Sequence, residues 1–378
     1  MNLLSACNIT TGKLDANAAD ENGAYSFFTC APEPLKTDTY AFDGEMILLA
    51  GNNASGNFHC QRFTGKCNAY QRTYVITAKD GYDIDFLYYS FLINLNLLRK
   101  HSQGSQTKFL TMEILKNFEF LDLDYPNQKK LVASLVCIDA KISLNKSICS
   151  NLEALAKEIY DYWFVQFDFP SESGKPYKSS GGKMVWNEKL KREIPDGWEI
   201  TDIGNITNCY DAKRIPLSAK EREAIKGNIP YYGATGIMGY VNRPIFSGDY
   251  VLVAEDGSVM DAKGHPIIQR VSGEIWVNNH AHILEPIAGY SCRLLMFILG
   301  EIPVVRIKTG SIQMKINQEN LNAYKVVKIP NSLLERVNKT LNVLDNRIIR
   351  IYEENRQLTE LRDFLLPMLM NGQIKVGE

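Results

Sequence analysis

The sequence predicts an α+β fold: two copies of one mixed α/β unit, joined by two long helices that pair antiparallel as a coiled coil. Three observations predict it. The 378-residue chain repeats itself at an offset of about 204 residues. Each copy carries short apolar runs punctuated by glycine turns, the pattern of strands. Each copy also closes on a proline followed by a long stretch with apolar residues at alternating spacings of three and four.

The repeat is read directly. AFDGEMILLAG (41–51) parallels IFSGDYVLVAE (245–255), each an aromatic, a glycine turn and an apolar strand. GSQTKFLTMEILKNFEFLDLDYP (104–126) parallels GSIQMKINQENLNAYKVVKIP (310–330), both opening Gly-Ser and closing on a short alternating strand and a proline. A period this long is one large unit used twice, not a solenoid. Within the units, YVLVA, IWVNNHAHIL and AYKVVKI read as strands, and 83–100 and 290–302 as short helices. The second copy is preceded by IPDGWEITDIGNIT, whereas the first opens on SACNITTGK, which matches only its end. The first copy is therefore expected to lack a turn and an opening strand.

After each closing proline runs a heptad seam. In the first copy it is Leu131, Leu135, Ile138, Ile142, Asn145, Cys149, Leu152, Ala156, Ile159 and Trp163. In the second it is Leu334, Val337, Leu341, Leu344, Ile348, Ile351, Asn355, Leu358, Arg362, Leu365 and Leu369. An asparagine interrupts each seam, and a buried polar residue there fixes register at some cost in stability. Each helix would span roughly 55–60 Å at 1.5 Å per residue. The expected boundaries are 1–126 and 199–330 for the two units and 127–165 and 331–378 for the helices and C-terminal segment. Residues 166–198, rich in Gly, Ser, Pro and Lys, read as a linker or wrapping loop rather than a core.

Composition narrows the function. Forty-five per cent hydrophobic and 22% charged is ordinary for a globular chain. No apolar run is long enough for a membrane span, and MNLLSACNITTGKLD lacks the layout of a signal peptide, so a cytoplasmic protein is expected. The eight cysteines stand singly with no CxxC, which fits buried thiols rather than zinc. A net charge of −1 does not advertise nucleic acid. Charge is local, however: Arg306, Lys308, Lys315, Lys325 and Lys328 face one acid, Glu319, in a strip that fits either a binding surface or a solvated face.

Catalytic signatures are sparse. GNNASGN (51–57) and YGATGIMG (232–239) lack the Lys-Ser/Thr of a phosphate-binding loop. His280 and His282 alternate along VNNHAHIL and so face opposite ways. Pro195-Asp196 followed by Asp211-Ala212-Lys213 fits the loose acid…acid-x-Lys form of a metal-dependent nuclease, but DAK also occurs at 139–141 and 261–263.

Several stretches together resemble the specificity subunit of type I restriction–modification systems. They are IPYYGATGIMGY, FSGDYVLVAEDGS, WVNNHAHIL and GSIQMKI in the second copy, and YSFFTC, FDGEMILLAG and CNAYQRTYVI in the first. The central YDYWFVQFDFPSESGKPYKSSGGKMVWNEKLKREIPDGWE and the C-terminal QLTELRDFLLPMLMNGQI extend the likeness over nearly the whole chain. The resemblance implies that each copy is a target recognition domain reading half of a bipartite double-stranded DNA site. It implies that the helices set the spacing between the halves, and that the chain docks two methyltransferase subunits, which restriction subunits join. The chain itself would be non-catalytic and without a cofactor or metal. Two other readings stay open: a stand-alone nuclease using Asp196, Asp211 and Lys213, and a coiled-coil scaffold without DNA function.

On this resemblance the DNA-facing residues are expected in matching loops of the two copies. In the first they are Asn53, Ser55, Gln71, Arg72, Ser105, Gln106 and Lys108. In the second they are Tyr232, Thr235, Asn278, Asn279, His280, Lys308, Ser311, Gln313 and Lys315, with Tyr231 beside them. YYGATGIMG (231–239) also fits a glycine-rich hairpin with core tyrosines. Asn and Gln suit adenine, and Arg and Lys guanine, where the contact is bidentate.

Overall fold

The computed structural model describes residues 3–54, 56–104, 107–310 and 314–373. The chain divides into two compact units, 1–146 with 352–378, and 147–351, so each long helix contributes a segment to each unit.

In the first unit a four-stranded antiparallel sheet is formed by β1 (Cys7–Thr11), β2 (Glu45–Ala50), β3 (Cys60–Thr64) and β4 (Thr73–Ala78), in the order β1-β4-β2-β3. Helix α1 (Ile84–His101) covers one face of this sheet, burying Leu87, Phe91 and Leu98 against Ile47, Leu49 and Ile76. Its start is fixed by Asp83, whose carboxylate accepts from the amides of Asp85 and Phe86. Arg99, Lys100 and His101 occupy the last turn, where cations complement the helix dipole.

The second unit repeats this order. β5 (Thr207–Cys209), β8 (Phe246–Ala254), β9 (Ile268–Val277) and β10 (Ala281–Pro286) run β5-β10-β8-β9, and β6 (Lys226–Tyr232) and β7 (Ile237–Val241) extend the edge through a parallel pairing of β6 with β9. The first unit has the same parallel pairing, Tyr25–Phe28 beside Cys67–Ala69, but there Gly65 (φ 125°) breaks the strand that β9 carries through Gly273 (φ 84°). Helix α3 (Cys292–Gly300), capped by Ser291, covers this sheet as α1 covers the other. One pairing differs. Ile200–Asp202 pairs with Lys325–Val327 in the second unit; in the first, Leu3 N donates to Phe118 O at 3.3 Å at the corresponding place.

The long helices are α2 (Tyr125–Tyr160), followed by a π-helical turn at Asp161–Val165, and α4 (Asn331–Met370). Every residue of both seams is buried or half-buried. In the first unit Arg362 pairs with Asp139 at 3.0 Å, and the two interrupting asparagines meet: Asn145 Nδ2 donates to Asn355 Oδ1 at 2.9 Å. In the second unit Cys149 packs on Ile348 and Ile351. Chain direction is antiparallel in each unit.

Two expectations are corrected. Residues 166–198 are not a loop outside the core. Phe167, Phe169 and Ile194 are buried in the second unit's main cluster, Phe169 stacks between Tyr177 and Trp198, and Met184–Asn187 pairs with Arg192–Pro195 as a hairpin. The Gly-Ser-Pro composition hides a few large aromatics that are buried. Of the cysteines, Cys137 is exposed and Cys30 and Cys209 are half-buried; the other five are buried.

The seam yields a stability test within one helix. All four tryptophans (163, 186, 198 and 276) lie in the second unit, so their fluorescence reports on it alone. Leu341, fully buried, replaced by Ala should cost about 2–5 kcal/mol in urea unfolding followed by that signal. Val343→Ala, two residues on and 67% exposed, should stay within about 0.5 kcal/mol.

Candidate nucleic-acid interface

Two backbone hydrogen bonds build the same frame in each unit. In the first, Gly51 N donates to Arg72 O and Leu110 N donates to Gly51 O, both at 2.8 Å. In the second, Glu255 N donates to His280 O at 2.9 Å and Ile316 N to Glu255 O at 2.8 Å. A third bond is shared with different chemistry. Tyr74 Oη donates to Leu110 O at 3.0 Å, and His282 Nε2 lies 3.0 Å from Ile316 O. The frame leaves one turn exposed in each copy, immediately before the strand that pairs with the centre of the sheet. It carries Gln71 and Arg72 in the first unit and Asn279 and His280 in the second.

The first-unit turn is tight. Thr73 N donates to Tyr70 O at 2.8 Å, and a Cβ at Gly51 would lie 2.3 Å from Arg72 O, so glycine is needed for this approach. Beside it Asn52–Asn53 pairs with Lys108–Phe109, with Asn53 opposite Lys108. A cleft of about 400 Å³ is lined by Gln71, Arg72, Asn52, Thr11, Tyr74 and Phe109, among others. Gln71, Arg72, Asn53 and Lys108 are thereby brought to one side of the unit.

In the second unit Asn279 and His280 are exposed, with His280 Nδ1 2.6 Å from Asp256 Oδ1. Lys308–Thr309 and Lys315–Ile316 pair beside them, joined to the turn through Glu255. Lys315 Nζ lies 2.9 Å from Glu255 Oε1, whereas Lys308 has no ion pair among the described residues. Thr235 is exposed at the tip between β6 and β7, and Tyr232 is half-buried against the sheet.

Some expected contacts are corrected. Asn278 is 3% exposed. Its Oδ1 accepts from His280 N at 2.8 Å and its Nδ2 faces Met238 Sδ, so it holds the turn from inside. Tyr231 is 1% exposed, with its hydroxyl accepting from Leu217 N at 2.9 Å, as the core-tyrosine alternative had it. Of the basic strip, Lys315, Lys325 and Lys328 are paired with Glu255, Asp202 and Glu199. Ser55, Ser105, Gln106, Ser311 and Gln313 lie outside the described residues.

Behind the second-unit turn sits a buried charge network that the sequence reading missed. Arg214 Nη1 bonds Glu255 Oε2 at 2.5 Å and Ala281 O at 2.8 Å, and its Nη2 lies 3.4 Å from Asp211 Oδ2. His282 Nδ1 faces Asp211 Oδ2, so both its ring nitrogens point at oxygen acceptors. Burial works to raise the Asp211 carboxyl, but the hydrogen bond and charge of His282, the Ile283 amide and Arg214 outweigh it and hold it below its ordinary value. Glu255 is likewise held low: burial opposes, and Lys315, Arg214 and His282 prevail.

Cys209, Asp211 and His282 bring metal-ligating atoms within 4.8 Å of one another. They do not fit a cation. Their acceptors are already spent on His282 and Arg214, a guanidinium stands against them, and burial with the Asp211 charge pushes the Cys209 thiol up to about 12, so it stays protonated. The nuclease set is dispersed among other partners as well. Asp196 pairs with Lys183, Asp211 with His282, and Lys213 lies over the Tyr210 ring.

The network carries a sign-definite pH dependence. Two depressed carboxyls stabilise the second unit above the ordinary carboxylate range, about pH 4, and that contribution is lost as pH falls through their lower folded-state values. Tryptophan-monitored melting should therefore drop steeply on acidification below about pH 4, and Asp211→Asn with Glu255→Gln should flatten the slope. An unchanged slope in that variant would remove the network as its source.

Comparison with known proteins places this architecture. Residues 3–154 and 195–360 match the family model of the type I restriction modification DNA specificity domain. The chain is 30% identical over 223 residues to the type I restriction enzyme EcoDI specificity subunit of Escherichia coli, covering 55% of this chain and 48% of that protein. It is 27% identical over 328 residues to the MjaIX specificity subunit of Methanocaldococcus jannaschii, covering 80% and 72%. The chain thus spans about half the length of the first of these relatives. Its fold is shared with the crystal structure of a type I restriction–modification S subunit from M. genitalium, with a TM-score of 0.60 at 18% identity over 98% of this chain and 95% of that one. With both copies of the sheet and their exposed turns falling inside the matched residues, the chain belongs to the type I restriction modification DNA specificity domain family.

Proposed function

We propose that this chain is the DNA-specificity subunit of a type I restriction–modification complex and performs no chemistry itself. The observation that carries this is the pair of exposed polar turns, Gln71–Arg72 and Asn279–His280, held by one hydrogen-bond frame in two copies of one sheet. Each copy, 1–126 and 199–330, is a target recognition domain reading one half of a bipartite DNA site. Gln71, Arg72 and Asn279 have the donor and acceptor sets that discriminate base edges, and Lys108 and Lys308 suit the phosphates beside them. A duplicated reader matches a split site, since half-sites must be spaced by the geometry of the duplex.

The helices α2 and α4 act as the spacer, a coiled coil that sets the number of unread base pairs. The buried seams and the Asn145–Asn355 bond support this. Two methyltransferase subunits dock on the chain and restriction subunits join them; the 166–198 region, with Trp186 57% exposed on its hairpin, is suited to that docking. Among the described residues no helix is long and apolar enough to cross a membrane. The committed partners of Asp196, Asp211 and Lys213 disfavour the nuclease reading. A scaffold without DNA function has no use for two matched exposed polar turns.

Two outcomes test this in the assembled complex. Arg72→Ala should relax the half-site read by the first domain by about 1–3 kcal/mol while leaving the other half-site intact, as read from methylated sites across a genome. Loss at both halves, or at neither, contradicts it. Leu344→Asp with Ile348→Asp puts unpaired charge into the seam and should abolish assembly and split-site methylation. Specific methylation that survives this change would sink the spacer role.

A further inference from the structure

One buried carboxylate outside the interface ties the second recognition domain to its long helix. Asp345 lies on α4 next to the seam residue Leu344 and is 5% exposed. It meets two guanidiniums from two different elements. Arg293 of α3 approaches through Nε at 2.8 Å and Nη2 at 2.7 Å, and Arg270 of β9 through Nη1. Seven residues earlier on the same helix, Asn338 Nδ2 donates to Gly289 O at 2.6 Å, in the turn before α3. A spacing of seven puts both side chains on one line along α4.

The neighbouring apolar contacts do not select a position in this way. Leu334, Val337 and Leu341 share a core cluster with Leu294, Leu295 and Ile298. Apolar residues recur with each helical turn, so a slip of about 5.4 Å, or of a heptad, about 10 Å, again sets leucine on leucine. The carboxylate has one matching position, and any slip would break its contacts with both guanidiniums, leaving Arg270 only the longer 3.9 Å approach to Asp249.

We propose that Asp345, with Asn338, fixes the axial register of the second recognition domain on α4, and so selects the number of unread base pairs between the half-sites. This rests on the specificity-subunit reading. Asp345 is a positioning residue and touches no DNA. At 3.4 Å per base pair, slips of 5.4–10 Å amount to roughly two to three base pairs.

The test uses the full chain co-expressed with its methyltransferase subunit, and maps methylated bases across the host genome. The variant Asp345→Leu, Arg270→Met, Arg293→Met replaces the buried triad by apolar residues of similar size, an exchange cores often tolerate. The wild type should give one split motif with a single gap. The variant should keep both half-site sequences and lose its preference for that gap at least about tenfold, with new gaps shifted by about two to three base pairs. The same half-sites at the same single gap would overturn the proposal, leaving the clamp a stability feature only. Should the triple variant fail to accumulate, Asp345→Asn with Asn338→Leu is read by the same criterion. A wild type without any split motif would instead refute the specificity reading, and the proposal with it.

Discussion

The amide of Gly51 or Glu255, bonded to the carbonyl just before the central strand, is the contact on which the candidate interface depends. It ties the end of one sheet strand to the turn that opens the next. The same residue's carbonyl then takes the amide of Leu110 or Ile316, bringing in the Lys108–Phe109 or Lys315–Ile316 segment. Three separate stretches of chain are thereby fixed to one backbone point by main-chain bonds, which leave the side chains of the exposed turn free to vary. Side chains at the exposed turn can then change without disturbing the frame, which is what a reader of variable sequence requires.

The two copies support that frame differently. The first uses a glycine and a tyrosine hydroxyl, Gly51 and Tyr74, and needs no charge. The second uses Glu255 and His282, with Arg214, Asp211 and Lys315 set against them. Such a network is hard to lose in part, because removing one member leaves the others unpaired in a low-dielectric site. The first copy therefore depends on close packing at one glycine, and the second on the protonation states of its carboxyls.

What the sequence made legible follows from periodicity. The seams at 131–163 and 334–369 repeat over many turns, so each position is supported by its neighbours, and all are buried or half-buried. The matching of Gln71–Arg72 with Asn279–His280 was legible because both precede a strand whose partner, Ala50 or Ala254, ends the most recognisable repeat segment. The role of Asn278 was not legible. An asparagine one residue before an exposed pair looks like a third contact, and only its hydrogen bond to the His280 amide marks it as the turn's inner brace. Nor was the Asp211–Arg214–Glu255–His282 network, whose members lie up to 71 residues apart with no local pattern. The 166–198 region misled for a compositional reason, since its many small residues outvote the few aromatics that decide its burial.

The charge distribution bears on how such a chain would engage DNA. Net charge is −1, and the lysines of the 306–328 strip are largely spent on carboxylates of their own unit. Phosphate neutralisation supplies most non-specific affinity, so a strip whose lysines are largely spent on carboxylates adds little to sliding contact. Its discrimination would rest on the exposed turns, where each good base contact counts for a few kcal/mol at most. A reader built this way is selective but weak by itself. On the proposed function, partners would supply the affinity for the duplex and this chain the sequence choice.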